Sequence, residues 1–134
     1  MFLCTGNSCR SQMAEGWCRA LFKDTIEAYS AGTKKHGMNE RAVKVMNEVG
    51  INLSNHSSKT IEELPTKEFD LVITVCSDAH ETCPYFPGKV LHFGFDDPPR
   101  LTKNLNDEEE VLKIYRRVRD EIGEFVKTIP SLLN

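Results

Sequence analysis

Residues 69–75 read FDLVITV, an almost unbroken apolar and β-branched run. A strand with one wet face alternates apolar and polar residues. A run without alternation suits a strand covered on both faces, as in a parallel sheet flanked by helices. The rest of the chain supplies matching parts. Residues 1–3 read as the end of a first strand, 26–30 as a second with a turn at Ala31-Gly32, and 89–93 as a weaker fourth. Between them run helical patterns. One starts at Ser11 and places Ala14, Trp17, Cys18 and Leu21 on a stripe. Asn39 caps a second with Ala42, Val43, Met46 and Val49 inward, and Gly50 ends it. Residues 60–64 predict a short helix that stops before Pro65. Asn106-Asp-Glu-Glu-Glu opens the last helix, whose stripe is Val111, Tyr115, Val118, Ile122, Phe125 and Ile129. Arg116, Arg117 and Arg119 are expected on its solvated face. Strands alternating with helices predict an α/β fold, a doubly wound four-stranded parallel sheet with right-handed crossovers.

A chain of 134 residues suits one domain, 1–134. Its net charge of −3 argues against a nucleic-acid surface. No signal peptide, membrane-spanning run or lipidation motif is present, so the expectation is a cytoplasmic monomer with no membrane or nucleic-acid partner. Five cysteines in such a compartment do not form a structural disulfide framework. Nor do they carry paired metal-ligand spacing, and no metal is expected. His80 between Cys76 and Cys83 is the only hint of one.

The cysteines have a chemical use instead. Cys4-Thr5-Gly6-Asn7-Ser8-Cys9-Arg10-Ser11 joins the first strand to the first helix. A loop of this kind binds a tetrahedral oxyanion. Its N–H groups turn inward, Arg10 grips two oxygens and the helix presents its positive end. Cys4 is then the nucleophile. Lowering a thiol pKa from about 8.5 to about 6 takes roughly 3.4 kcal/mol. A helix end supplies about 0.3–1 kcal/mol, so amides, Arg10 and the Ser11 hydroxyl must supply the rest.

Two further groups belong to the same edge of the sheet, since ligands in such folds lie beyond the carboxyl ends of the strands. Cys76 follows FDLVITV, with Cys83 seven residues on. In a helix their Cα atoms would be about 10.5 Å apart, and a disulfide needs less than about 7 Å. Joining them requires the segment to loop out, which couples oxidation to a conformational change. Asp97, stiffened by Pro98, is placed to protonate a departing oxygen. His56 and His92 read as structural hydrogen-bonders, and Glu15 alone as a solvated helix side chain.

The run CTGNSCRSQMAEGW resembles the active-site loop of the low-molecular-weight protein tyrosine phosphatase superfamily, and is closer still to its thioredoxin-coupled arsenate reductases. The similarity continues through FDLVITVCSDAHETCP and HFGFDDP to RRVRDEIGEF. The loop specifies the superfamily; the Cys76/Cys83 pair points to the reductases. The resemblance implies a three-thiol relay: Cys4 attacks arsenate, Cys76 resolves Cys4, Cys83 resolves Cys76, and thioredoxin reduces the product. Cys9 is a bystander in the loop. The alternative is a tyrosine phosphatase working through a Cys4 phosphoenzyme. No tightly bound cofactor is implied. Members that hold potassium beside the loop use Asn, Glu, Ser and Asp oxygens. Asn7, Glu15 and Ser30 match, but the Asp position is Lys59. The expectation is that the Lys59 ammonium, next to Glu15, stands in for the cation. Members also carry several more residues of strand one, so a short central strand is expected.

Overall fold

The computed structural model describes residues 1–75 and 89–133. Four parallel strands form its sheet: β1 (Phe2–Cys4), β2 (Ser30–Gly32), β3 (Leu71–Thr74) and β4 (Lys89–His92), in the order β2-β1-β3-β4. Helices α1 (Arg10–Leu21), α2 (Glu40–Glu48), α3 (Pro98–Leu101), α4 (Glu108–Val126) and α5 (Ile129–Leu132) surround it, with a 3₁₀ turn at Ile61–Glu63. This is the α/β architecture that FDLVITV predicts. Leu71, Val72, Ile73 and Thr74 are all buried, on both sides of the pleat.

The register explains where the site lies. Phe2 sits opposite Ser30 and Ile73, and Cys4 opposite Gly32. β1 is therefore short but central. Its carboxyl end lies between β2 and β3, where the winding of an open sheet reverses and opens a crevice. The second strand begins where residues 26–30 were expected to end it, because Ala31 and Gly32 are the residues that pair with Leu3 and Cys4. The turn expected at Ala31-Gly32 is strand.

The helix ends follow their signals closely, although Val49, expected inward, is exposed at the C-cap of α2. The Asn39 side chain accepts the Ala42 N–H at 3.0 Å, and Gly50 takes φ +81° to end α2. Thr60 and Glu63 form a reciprocal capping box over the 3₁₀ turn. The last helix stops at Val126, and Ile129 begins a separate turn with Pro130 at its start. On α1, Met13, Ala14 and Cys18 face the core, whereas Leu21 is exposed. Arg119 is also a correction: it is buried, donating to the Val45 carbonyl at 2.9 Å and to Glu48 at 3.0 Å. A buried guanidinium needs such partners. It ties α4 to α2 rather than facing solvent, while Arg116 and Arg117 remain on the outer side.

Candidate active site

Cys4 ends β1 and Arg10 begins α1, so residues 5–9 must reverse direction in a few peptides. The carbonyls of this loop all point outward. Thr5 O accepts from Lys34 N at 3.0 Å, Gly6 O from His36 N at 3.0 Å, and Ser8 O from Asn39 N at 2.9 Å. Cys9 O accepts from Met13 N at 2.9 Å, and Asn7 O from the Gln12 side chain at 3.1 Å. In a trans peptide the N–H points away from the C=O. Anchoring five consecutive carbonyls outward thus turns the N–H groups of residues 6–10 inward, and these N–H groups donate to nothing among the described residues. They form an anion-binding concavity at an N-terminus that bears no acidic residue in its first turn and no side-chain cap.

Asn7 makes the turn possible. It takes φ +49°, a conformation that Asn tolerates better than most residues. Fully buried, it serves as a hub. Its Nδ2 donates to Ser11 Oγ at 2.8 Å and Ser30 Oγ at 3.0 Å, and its Oδ1 accepts from Gln12 Nε2 and Lys59 N, each at 2.9 Å. The consequence reaches the sulfur. Ser11 Oγ lies 2.9 Å from Cys4 Sγ. Either atom could donate while Cys4 is a thiol, but a thiolate has no hydrogen, so with Cys4 ionised the Ser11 hydroxyl is the donor. A hydroxyl donating to sulfur favours thiolate over thiol. Cys9, in the same loop, has the opposite surroundings. Burial pushes its thiol up to about 12, so it stays protonated.

Gly32 is required by close approach. A Cβ there would lie 2.6 Å from both Thr5 O and Lys34 O and 2.9 Å from Asn7 N. The loop therefore rests directly on β2. The sequence marked this glycine only as part of a turn expected after the second strand.

Arg10 and Asp97 meet across the mouth. Arg10 donates from one terminal nitrogen to Phe95 O at 3.0 Å, and the other lies 3.6 Å from the Asp97 carboxylate. Asp97 precedes α3, where Pro98 occupies the first helical position. A cavity of about 420 Å³ opens here, lined by Arg10, His92, Phe95, Asp97, Arg100 and Leu101 among others. Asp96 is directed elsewhere, to Arg117 at 3.1 Å. Cys76 and Cys83, with His80 between them, lie outside the described residues. Among the described residues no cluster of His, Cys, Asp and Glu is arranged to hold a metal.

The group expected to hold a cation is assembled, with different pairings. Glu15 is buried, not solvated. Its carboxylate accepts from Ser30 Oγ at 2.5 Å and pairs with Arg19 at 2.7 Å, and His56 Nδ1 stands at 3.8 Å. Arg19, not Lys59, balances its charge. The Lys59 ammonium sits on carbonyls, 2.7 Å from Ser57 O and 3.5 Å from Ser30 O. Glu15, Ser30, Asn7, Ser11 and Cys4 form one hydrogen-bonded chain from this group to the sulfur.

Residues 1–132 match the low molecular weight phosphotyrosine protein phosphatase family, and the chain belongs to it. It is 49% identical over 129 residues to the arsenate reductase of Halalkalibacterium halodurans, covering 95% of this chain and 91% of that one. To the arsenate reductase of Bacillus subtilis it is 51% identical over 128 residues, covering 94% and 90%. Among solved structures, an arsenate reductase in its phosphate-binding state superposes with a TM-score of 0.78 at 28% identity, covering 100% of this chain and 97% of that one.

Proposed function

We propose that residues 1–134 form one arsenate reductase domain that uses Cys4, Cys76 and Cys83 in sequence. The half-identical arsenate reductases that match nearly the whole chain carry this reading. The geometry at Cys4 supports it, because inward amides, Arg10 and the Ser11 hydroxyl suit both a tetrahedral oxyanion and a thiolate. A thioredoxin-dependent arsenate reductase of Corynebacterium glutamicum superposes with a TM-score of 0.65 at 26% identity, covering 96% of this chain and 60% of that one. We take thioredoxin as the electron donor and the cytoplasm, where thioredoxin keeps thiols reduced, as the compartment. A monomer is the expected state.

In this reading the Cys4 thiolate attacks arsenic(V) and forms an S–As bond. Hydroxide leaves and takes a proton from Asp97 to depart as water. Cys76, as thiolate, then attacks Cys4 Sγ. The S–As pair stays on arsenic, which leaves as arsenite, and a Cys4–Cys76 disulfide remains. Cys83 attacks Cys76, releasing Cys4 and leaving Cys76–Cys83 for a dithiol of thioredoxin to reduce. Two electrons pass from sulfur to arsenic, and two return from thioredoxin. Thr5, Gly6, Asn7, Ser8, Cys9, Arg10 and Ser11 hold the oxyanion throughout. The Lys59 ammonium stands in for the cation of potassium-binding relatives through its seat on the Ser57 and Ser30 carbonyls, while Arg19 neutralises Glu15; a strong dependence of rate on potassium would refute that assignment. The phosphatase alternative needs only Cys4, Arg10 and Asp97. After Asp97-Pro98, Pro99 and Arg100 stand where such enzymes usually place aromatic rings. Reduced protein mixed with arsenate and no thioredoxin tests the proposal. Peptide mapping should find a Cys76–Cys83 disulfide and about one arsenite per chain; unchanged thiols would refute it.

A further inference from the structure

Five loop carbonyls are anchored outward, but not in the same way. Thr5 O, Gly6 O, Ser8 O and Cys9 O each accept from a backbone N–H. Among the described residues, Asn7 O accepts only from the side chain of Gln12. The Asn7–Ser8 peptide is therefore the one joint of the loop whose orientation depends on a side chain, and it follows the residue with positive φ.

Gln12 is fully buried on the first turn of α1. Its Nε2 faces three acceptors: Asn7 O at 3.1 Å, Asn7 Oδ1 at 2.9 Å and Ser57 O at 3.1 Å. Three acceptors around one end identify it as the NH₂ end. The other end, Oε1, is then an acceptor and lies 3.0 Å from His56 Nδ1. An amide oxygen cannot donate, so Nδ1 carries the hydrogen. His56 is half-buried, which depresses its pKa, and Glu15, Arg19 and Lys59 are the charged groups around it. The neutral ring is held as the Nδ1–H tautomer by Gln12, with the Glu15 carboxylate beyond.

We infer that Gln12 is a positioning residue for the oxyanion loop, and that His56 sets the orientation of its amide. Gln12 holds the Asn7 carbonyl outward and so keeps the Ser8 N–H facing the bound oxyanion. Without that anchor the Asn7–Ser8 peptide is able to rotate. Its carbonyl would then enter the concavity in place of an N–H, repelling both anion and thiolate. Gln12 also grips Asn7 Oδ1, which keeps Nδ2 aimed at Ser11 and hence the Ser11 hydroxyl aimed at Cys4. His56 acts one bond further out. Were its Nδ1–H absent, the Gln12 amide would lose the donor that distinguishes its two orientations at the Oε1 end. Neither residue touches the reacting atoms. The inference rests on the proposed reading of the loop as an oxyanion site.

The test compares Gln12→Met, which keeps the length and removes the amide, with the pair His56→Leu and His56→Asn. The Asn amide nitrogen stands close to where Nδ1 stood and restores a donor. Inorganic phosphate is the binding probe, and the pH dependence of iodoacetamide alkylation, read on the Cys4 peptide by mass, gives the thiol pKa. Gln12→Met should weaken phosphate at least about tenfold, since a hydrogen bond to a charged group is worth about 1.5–3 kcal/mol. It should also raise the Cys4 pKa by about one unit. His56→Leu should shift both readouts the same way by less, and His56→Asn should restore them. A folded Gln12→Met with unchanged phosphate affinity and Cys4 pKa overturns the inference. If Gln12→Met does not fold, equal behaviour of His56→Leu and His56→Asn overturns it. Should wild type bind phosphate yet fail to reduce arsenate, the function is refuted while these shifts still decide the role of Gln12.

Discussion

Gly32→Ala places one methyl group where the oxyanion loop touches the sheet. The new Cβ would lie 2.6 Å from Thr5 O and Lys34 O and 2.9 Å from Asn7 N. Ordinary contact begins at 3.4 Å, so the two carbonyls must retreat by about 0.8 Å. All three neighbours are backbone: Thr5 and Lys34 are tied to each other by the Lys34 N–H to Thr5 O bond, Asn7 is held by its hub, and Gly32 itself is fixed by its N–H to Lys59 O. No flexible side chain is available to move aside. Overpacking of this kind costs about 1–3 kcal/mol of stability. Displacing the reacting groups by about 1 Å costs on the order of 10²-fold in rate. Gly32 lies within β2 and does not have positive φ, so close approach alone is at work. Gly37→Ala is the matched control. There φ is +83° and nothing lies within 4 Å of the added carbon, so about 1 kcal/mol of stability should be lost with kcat/KM unchanged. The assay is arsenate-dependent NADPH oxidation with thioredoxin and thioredoxin reductase, alongside urea unfolding. Gly32→Ala with wild-type kcat/KM would refute the view that the loop is positioned by direct contact with β2.

Three further expectations follow from the same geometry. Ser11→Ala should raise the Cys4 pKa by about one unit, the value of one hydrogen bond to a charged sulfur, and should also destabilise the fold by about 1–3 kcal/mol because Asn7 Nδ2 loses a buried acceptor; Ser11→Thr should restore both, as read by alkylation and urea titration. Iodoacetamide at pH 8 should label Cys4 far ahead of Cys9, whose thiol burial pushes up to about 12, and comparable labelling in folded protein would contradict that. His56 titrates below its ordinary 6.5 because it is partly buried, so below 6.5 the unfolded chain takes up a proton that the folded chain refuses. Its contribution to stability is therefore complete above 6.5 and declines as pH falls towards the folded value; His56→Asn should flatten that decline in urea titrations between pH 7.5 and 5.5.

What the sequence made legible was whatever depends on local pattern. FDLVITV announced a doubly covered strand, Asn39 and Gly50 bounded α2, and the spacing of Cys4, Arg10 and Ser11 located the loop between β1 and α1. Features that depend on a distant partner were not legible. Glu15 looks like a solvated helix residue until Ser30 and Arg19 reach its two oxygens. Arg119 sits beside two outward arginines, and only the approach of α2 buries it. Strand two was shifted because its pairing is set by Leu3 and Cys4, not by its own apolar residues. Gln12 and His56 are separated by 44 positions, and no periodicity links them. Lys59 was expected beside Glu15, yet its ammonium has carbonyl partners, and only the folded path of residues 57–59 reveals that.

The central claim is that one oxyanion-held thiol starts a relay that ends on Cys83. Arsenite release and NADPH consumption, followed together with thioredoxin and thioredoxin reductase for wild type and Cys83→Ser, test it most directly. The relay predicts sustained turnover for wild type, and for the variant a stall after about one equivalent of arsenite with a Cys4–Cys76 disulfide trapped. If neither protein consumes NADPH with arsenate while both hydrolyse an aryl phosphate equally, the relay is contradicted and the chain is a phosphatase.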